Sequence, residues 1–188
     1  MVREVLIWPD SRLKGKSQPV SKVTPQIAQV VDDLFETMYA SEGVGLAAPQ
    51  IGLAQRILVI DIAPGEESKP LALINPVIVG GRGEVTWNEG CLSIPGEAED
   101  VDRQEEVTVR ALDREGRAIE IADATGLLAV ALQHEIDHLE GTLFVDRLSA
   151  LKREVIRRRM KKLKAELEED RKSGKPRVLD HHEGGPAL

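Results

Sequence analysis

Apolar residues recur at helical spacing in three places along this 188-residue chain. In "TPQIAQVVDDLFETMYASEG", Ile27, Val30, Val31, Leu34, Phe35 and Met38 mark the buried stripe of an amphipathic helix. Thr24 suits its N-cap, and Pro25 suits its first turn, where a missing N–H removes no helical bond. Gly43 and Gly45 end it and open the loop "EGVGLAAPQIG". From Ala124 to Leu139 the pattern differs. Leu127, Leu128, Ala129, Val130, Ala131, Leu132, Ile136 and Leu139 leave little polar face, which predicts a central, buried helix capped by Asp123 or Thr125. A third helix starts near Ser149, with Leu151, Val155, Ile156, Met160, Leu163 and Leu167 as its expected packed stripe.

Between the first two helices the period shortens. "RILVIDI", "LALINPVIVG", "EVTVRALD" and "RAIEIAD" are rich in β-branched residues, and Val107 and Val109 alternate with Thr108 and Arg110. Pro76 argues for a bend or an edge position in the second run. Short strands with tight links predict mixed or antiparallel sheets, not repeated βαβ units. The expected fold is α+β, with sheets packed around the central helix and further helices toward both ends. Residues 1–170 read as one domain and 171–188 as a flexible tail, because "SGKPRVLDHHEGGPAL" has no periodicity.

Composition narrows the class. The length suits one domain with its own core. A single cysteine, Cys91, excludes a disulfide scaffold. "MVREVLIWPDSRL" lacks the features of a signal peptide, and no run approaches the ~18 apolar residues of a membrane span. A cytoplasmic protein with no membrane partner is expected. The net charge is -7, yet Lys152 to Lys164 holds eight basic residues and one acidic one. DNA binding is not expected of the whole protein, whereas that one helix is suited to touching phosphates.

The chemistry concentrates in "QHEIDHLEG", Gln133 to Gly141. On a helix, His134 and His138 stack on one face, and Glu135 lies about 60° around the axis from His138. This is the H-E-x-x-H arrangement, in which two imidazoles hold a metal and a carboxylate handles a proton. Burying three such residues unpaired in an apolar helix would cost several kcal/mol, which favours a bound ion over chance. Asp137 points elsewhere and suits a structural bond to an arginine. His181 and His182 stand among tail glycines and suit solvent. A catalytic site usually takes a third protein ligand. Cys91, in "WNEGCLSIPG", is either a small buried hydrophobe or a thiolate ligand, and thiolate suits iron, zinc, cobalt or nickel.

Three segments in register, "GVGLAAPQIG" (Gly43 to Gly52), "EGCLS" (Glu89 to Ser93) and "QHEIDHLEG", resemble the peptide deformylase family. "VLIWPDSRL", "INPVIV" and "LFVDRLSALKR" are similar to it as well, so the resemblance spans nearly residues 1 to 170. It implies a hydrolase that removes the N-formyl group from N-formylmethionyl nascent peptides and releases formate. It implies one divalent ion held by Cys91, His134 and His138. Ferrous iron is the expected native ion, with nickel, cobalt or zinc able to substitute. It further implies attack by metal-bound hydroxide, with Glu135 as general base and acid. Gln50 and the Leu92 N–H would stabilise the oxyanion; on local context alone Gln50 is a loop hydrogen-bonder. The peptide would add as a strand beside Val44 and Gly45. Its methionine would enter a pocket lined by Val44, Leu127, Val130, Ala131 and the aliphatic part of Glu89. The basic third helix would contact the ribosome.

One departure stands out. Where many members carry an arginine after the cysteine, this chain has Ala98 amid "GEAEDVD", which is expected to change the potential at the cleft rim; Arg103 is retained. Three rival readings use the same residues: a zinc-dependent endopeptidase of the H-E-x-x-H type, a cysteine hydrolase built on Cys91, and a non-enzymatic protein acting through its basic helix. The first lacks a further histidine before the tail. The second leaves one histidine and Glu135 without a role. The third leaves the polar trio of the apolar helix unexplained.

Overall fold

A computed structural model describes residues 1–65, 68–174 and 188. The elements run α1 (Pro25–Ala40), β1 (Gly45–Ala47), β2 (Ile57–Ile60), β3 (Leu71–Arg82), β4 (Val85–Gly90), β5 (Ala98–Arg103), β6 (Glu106–Leu112), β7 (Ala118–Thr125), α2 (Gly126–Leu139) and α3 (Ala150–Lys172). The fold is α+β with antiparallel sheets, as the patterning predicts. Thr24 caps α1, its side chain accepting from Ile27 N–H, and Pro25 fills the first turn. Such a cap is worth about 1 kcal/mol.

The larger sheet has the order β1-β2-β3-β6-β7, with every neighbouring pair antiparallel; β4 and β5 form a separate hairpin sheet. β2 is buried on both faces. Leu58 and Ile60 join Val130 and Leu132 of α2 in one cluster, whereas Ile57 and Val59 join Val31 and Leu34 of α1 in another. Alternation along one strand thus bonds two apolar layers through a single sheet. A third cluster gathers Ile7, Trp8, Cys91, Val101, Phe144, Ile156 and Met160 beneath α3. α2 is buried between these layers.

Several expectations are corrected. Pro76 does bend its strand, with a register shift between Ile74 and Val77 and Asn75 at positive φ. β3 is nonetheless interior, between β2 and β6, not an edge. On α3 the packed residues are Ile156, Met160, Leu163 and Leu167, a single i, i+4, i+7, i+11 stripe. Leu151 and Val155, expected in that stripe, are 76% and 41% exposed; they lie 140° and 100° around the axis from Ile156. The β4–β5 hairpin is absent from the hydrophobic pattern for a physical reason. Its solvent face pairs Thr86 with Asp102 and Asn88 with Asp100, and its inner face carries an ion pair, Glu89 and Arg103, where apolar residues would ordinarily stand. His181 and His182 lie outside the described residues. Leu188 is described, and it is buried in the cluster around α2 and not loose.

Candidate metal centre

α2 carries its motif in the middle of the core. The Nε2 atoms of His134 and His138 lie 3.2 Å apart, and Cys91 Sγ is 3.3 Å from His138 Nε2. The three donor atoms all fall within 4.8 Å of one another, and all three side chains are buried. Cys91 reaches this point from the end of β4, across the boundary between the two sheets. The donors fit a metal ion. His134 Nδ1 faces the Glu89 carboxylate at 2.9 Å. A proton shared there leaves Nε2 as the lone-pair atom. Burial, followed by His134, holds His138 well below the ordinary histidine range, which keeps a ring lone pair free on that residue. Burial pushes the Cys91 thiol far up; a thiolate at this position needs a cation beside it.

Glu135 supports the same fit. Both of its carboxylate oxygens are buried and have no hydrogen-bond partner among the described residues. Burial foremost, then repulsion from Glu89, raises its proton affinity well above that of an ordinary glutamate. An orphaned buried carboxylate beside three ligating atoms marks space for a polar occupant.

The remaining motif residues hold the helix in position. Gln133 donates to the Ala129 and Gln104 carbonyls and accepts from Gln104 N–H, fastening α2 to the segment between β5 and β6. Asp137 takes Arg147 in a two-pronged pair at 2.8 Å and also binds Arg103, as expected of a structural aspartate. Gly141 adopts φ +74°, and a Cβ there would meet the Lys14 carbonyl oxygen at 2.5 Å.

Glu89 was placed by sequence in the pocket lining through its aliphatic part. Its carboxylate has a second role that sequence reasoning missed. It accepts two bonds from Arg103, at 2.6 and 2.8 Å, besides facing His134. Burial opposes its charge, yet Arg103 and His134 outweigh this and hold it at about 2. The alternation of "VTWNEG" was the available signal, since it sets Glu89 on the inner face with Val85 and Trp87.

The other expected residues lie around this cluster. Gln50 is fully buried. Its Oε1 accepts from Ala47 N–H at 2.8 Å, which turns Nε2 toward Ser93 Oγ at 3.3 Å and Cys91 Sγ at 3.7 Å. β1 forms the free edge of the larger sheet. The Val44 carbonyl accepts from Asp61 N–H, so Gly45, next in the antiparallel alternation, turns its main-chain groups outward. A Cβ on Gly45 would lie 2.5 Å from Glu135 Oε1, so only glycine lets β1 approach the carboxylate. Val44, Val130 and Ala131 are buried in one apolar cluster, with Leu127 packed against it. The acidic run is not a free rim. Glu97 pairs with Arg159 and Glu99 with Lys152, clamping α3 to the hairpin.

The chain is similar to known proteins over most of its length. Residues 2–154 match the family model of polypeptide deformylase. A peptide deformylase of Alkalilimnicola ehrlichii is 52% identical over 162 residues, covering 86% of this chain and 90% of that protein. The crystal structure of a peptide deformylase from Legionella pneumophila superposes with a TM-score of 0.83 at 48% identity, over 88% of this chain and 96% of that one. One from Ehrlichia chaffeensis, in complex with actinonin, gives 0.82 at 42% identity, over 86% and 96%. The endopeptidase reading finds no support in these relatives. Matched over residues 2–154 by the family model, and similar in sequence and fold to these deformylases over most of its length, the chain belongs to the polypeptide deformylase family.

Proposed function

We propose that Glu135, Gln50 and Leu92 carry out the deformylase reaction of this chain beside one divalent ion held by Cys91, His134 and His138. The observation that carries this is the unpartnered, buried Glu135 carboxylate next to three converging donors. When bound, the ion supplies Lewis acidity, lowering the pKa of water and polarising the formyl oxygen. Glu135 takes the proton of the attacking water and passes it to the departing amine, yielding formate and a free methionyl N-terminus. Its raised proton affinity suits it to hold that proton between the two steps. Gln50 Nε2–H and Leu92 N–H donate to the oxygen on which charge develops. Gln50 is oriented in advance, because Ala47 N–H holds its Oε1 and Ser93 Oγ accepts from Nε2, which also faces Cys91 Sγ in the cluster.

Substrate binding follows from the edge strand. An N-formylmethionyl nascent peptide adds beside Val44 and Gly45, which tolerates varied side chains downstream. Its methionine enters among Val44, Leu127, Val130 and Ala131, beside Glu89. Ferrous iron is the native ion on this reading, with nickel, cobalt or zinc as substitutes, in keeping with a thiolate among the ligands. The compartment is the cytoplasm, where nascent chains emerge; no helix among the described residues is long and apolar enough to cross a membrane.

Formate release from formyl-Met-Ala-Ser by anaerobically iron-loaded protein tests the site. Glu135→Gln should retain the ion and lose roughly 100-fold or more in turnover. Full activity in that variant would move proton transfer elsewhere. The basic face of α3 contacts ribosomal RNA in the same proposal. Lys152 and Arg159 are tied to the hairpin, which leaves Arg153, Arg157, Arg158, Lys161, Lys162 and Lys164; the test changes Arg157, Arg158 and Lys161, of which the two arginines pair only with Glu154 of the same helix among the described residues. Ribosome co-sedimentation across a salt series should weaken when these three become glutamate; equal binding removes the helix from the account.

A further inference from the structure

Leu188 lies outside the family-matched residues 2–154, yet it sits at the reaction centre. It is 1% exposed and joins the apolar cluster that contains Val44, Val130 and Ala131. Its main-chain oxygen accepts from Leu92 N–H at 3.3 Å. Cys91 is the residue before that donor. An apolar side chain in the cluster and an acceptor oxygen on the Leu92 amide are the two features of a formylmethionyl substrate. Leucine and methionine exchange in apolar sites with little change of volume. We propose that Leu188 binds in the methionine pocket as an internal competitor, so that the chain restrains its own activity until substrate displaces it. This rests on the roles assigned above to Leu92 and the pocket.

Reach permits it. Thirteen residues separate Gly174 from Leu188, and an extended chain of that length spans roughly 45 Å. A tethered ligand meets its site at an effective concentration on the order of millimolar, so weak intrinsic affinity suffices for substantial occupancy. Occupancy reduces the fraction of competent enzyme and raises the apparent KM in proportion, while saturating substrate restores kcat.

The test compares the full chain with Leu188→Asp and Leu188→Met, matched for metal content and circular dichroism. Leu188→Asp should lower KM for formyl-Met-Ala-Ser by about 2- to 10-fold at unchanged kcat, and Leu188→Met should behave like the native chain. The Leu92 amide resonance, followed by 15N NMR, reads occupancy without any turnover. It should shift in Leu188→Asp, and actinonin should bring native and variant proteins to the same position. An unmoved Leu92 resonance would overturn the proposal, and so would equal KM values. A resonance that responds to Leu188→Asp but not to actinonin would instead remove Leu92 from the substrate site, and the competition with it. KM should not depend on enzyme concentration. A rise with concentration would assign the leucine to a second copy and overturn the internal contact.

Discussion

Arg103→Ala removes the one arginine bound to Glu89 among the described residues, and its cost can be worked from the site. Glu89 is fully buried and Arg103 nearly so, joined by two bonds of 2.6 and 2.8 Å. Holding the carboxyl at about 2 against an ordinary 4.5 corresponds to about 3 kcal/mol in favour of the ionised form. Truncating one member of a buried ion pair typically costs about 3–5 kcal/mol, which agrees. Asp137 keeps Arg147 and adds little to the loss. Urea unfolding of the metal-free protein at pH 7 should therefore show a loss of about 3 kcal/mol, with Arg103→Lys in between because it retains charge without the fork. The folded pKa lies below the unfolded one, so this contribution is present above about 4.5 and disappears as pH falls through about 2. The gap between native and variant proteins should close over that window. Glu89 also orients His134, so metal competition should show roughly 10- to 100-fold weaker binding. A stability loss under 1 kcal/mol with unchanged metal affinity would refute the reasoning.

Cys91→Ala and His138→Ala should each abolish stoichiometric metal by elemental analysis; full occupancy in both would dismiss the cluster as the binding site. Gly45→Ala forces β1 or Glu135 to shift, since the added carbon would lie 2.5 Å from Oε1, and kcat/KM should fall at least tenfold at normal metal content. Activity near that of the native protein would show that β1 need not approach the carboxylate so closely. Ser93→Ala frees one side of the Gln50 amide and should lower kcat more than it changes KM, with Ser93→Thr restoring it; an equal effect on both would mean that Ser93 supports structure without orienting Gln50.

The helices were legible in the chain because burial repeats every 3.6 residues and leaves a visible stripe. Thr24, Pro25 and the apolar run of α2 announced their elements without any tertiary information. The spacing of His134, Glu135 and His138 is likewise a local fact, since one helical turn dictates it. Gln50 was reachable only through resemblance, and Cys91 stayed open between buried hydrophobe and thiolate ligand until then, because 84 and 43 residues separate them from His134 and no local periodicity connects them. The β4–β5 hairpin stayed hidden because Glu89 and Arg103 neutralise each other at core positions, and a one-dimensional pattern scores each as solvent-facing. The choice between the two apolar faces at the start of α3 depended on which of them met the third cluster; both were equally apolar, and the core accepted Ile156 while leaving Leu151 and Val155 outside. Leu188 is the extreme case. A single leucine in an aperiodic tail carries no signal of burial, and its position beside the Leu92 N–H follows from an apolar cluster whose other buried members lie far from it in sequence.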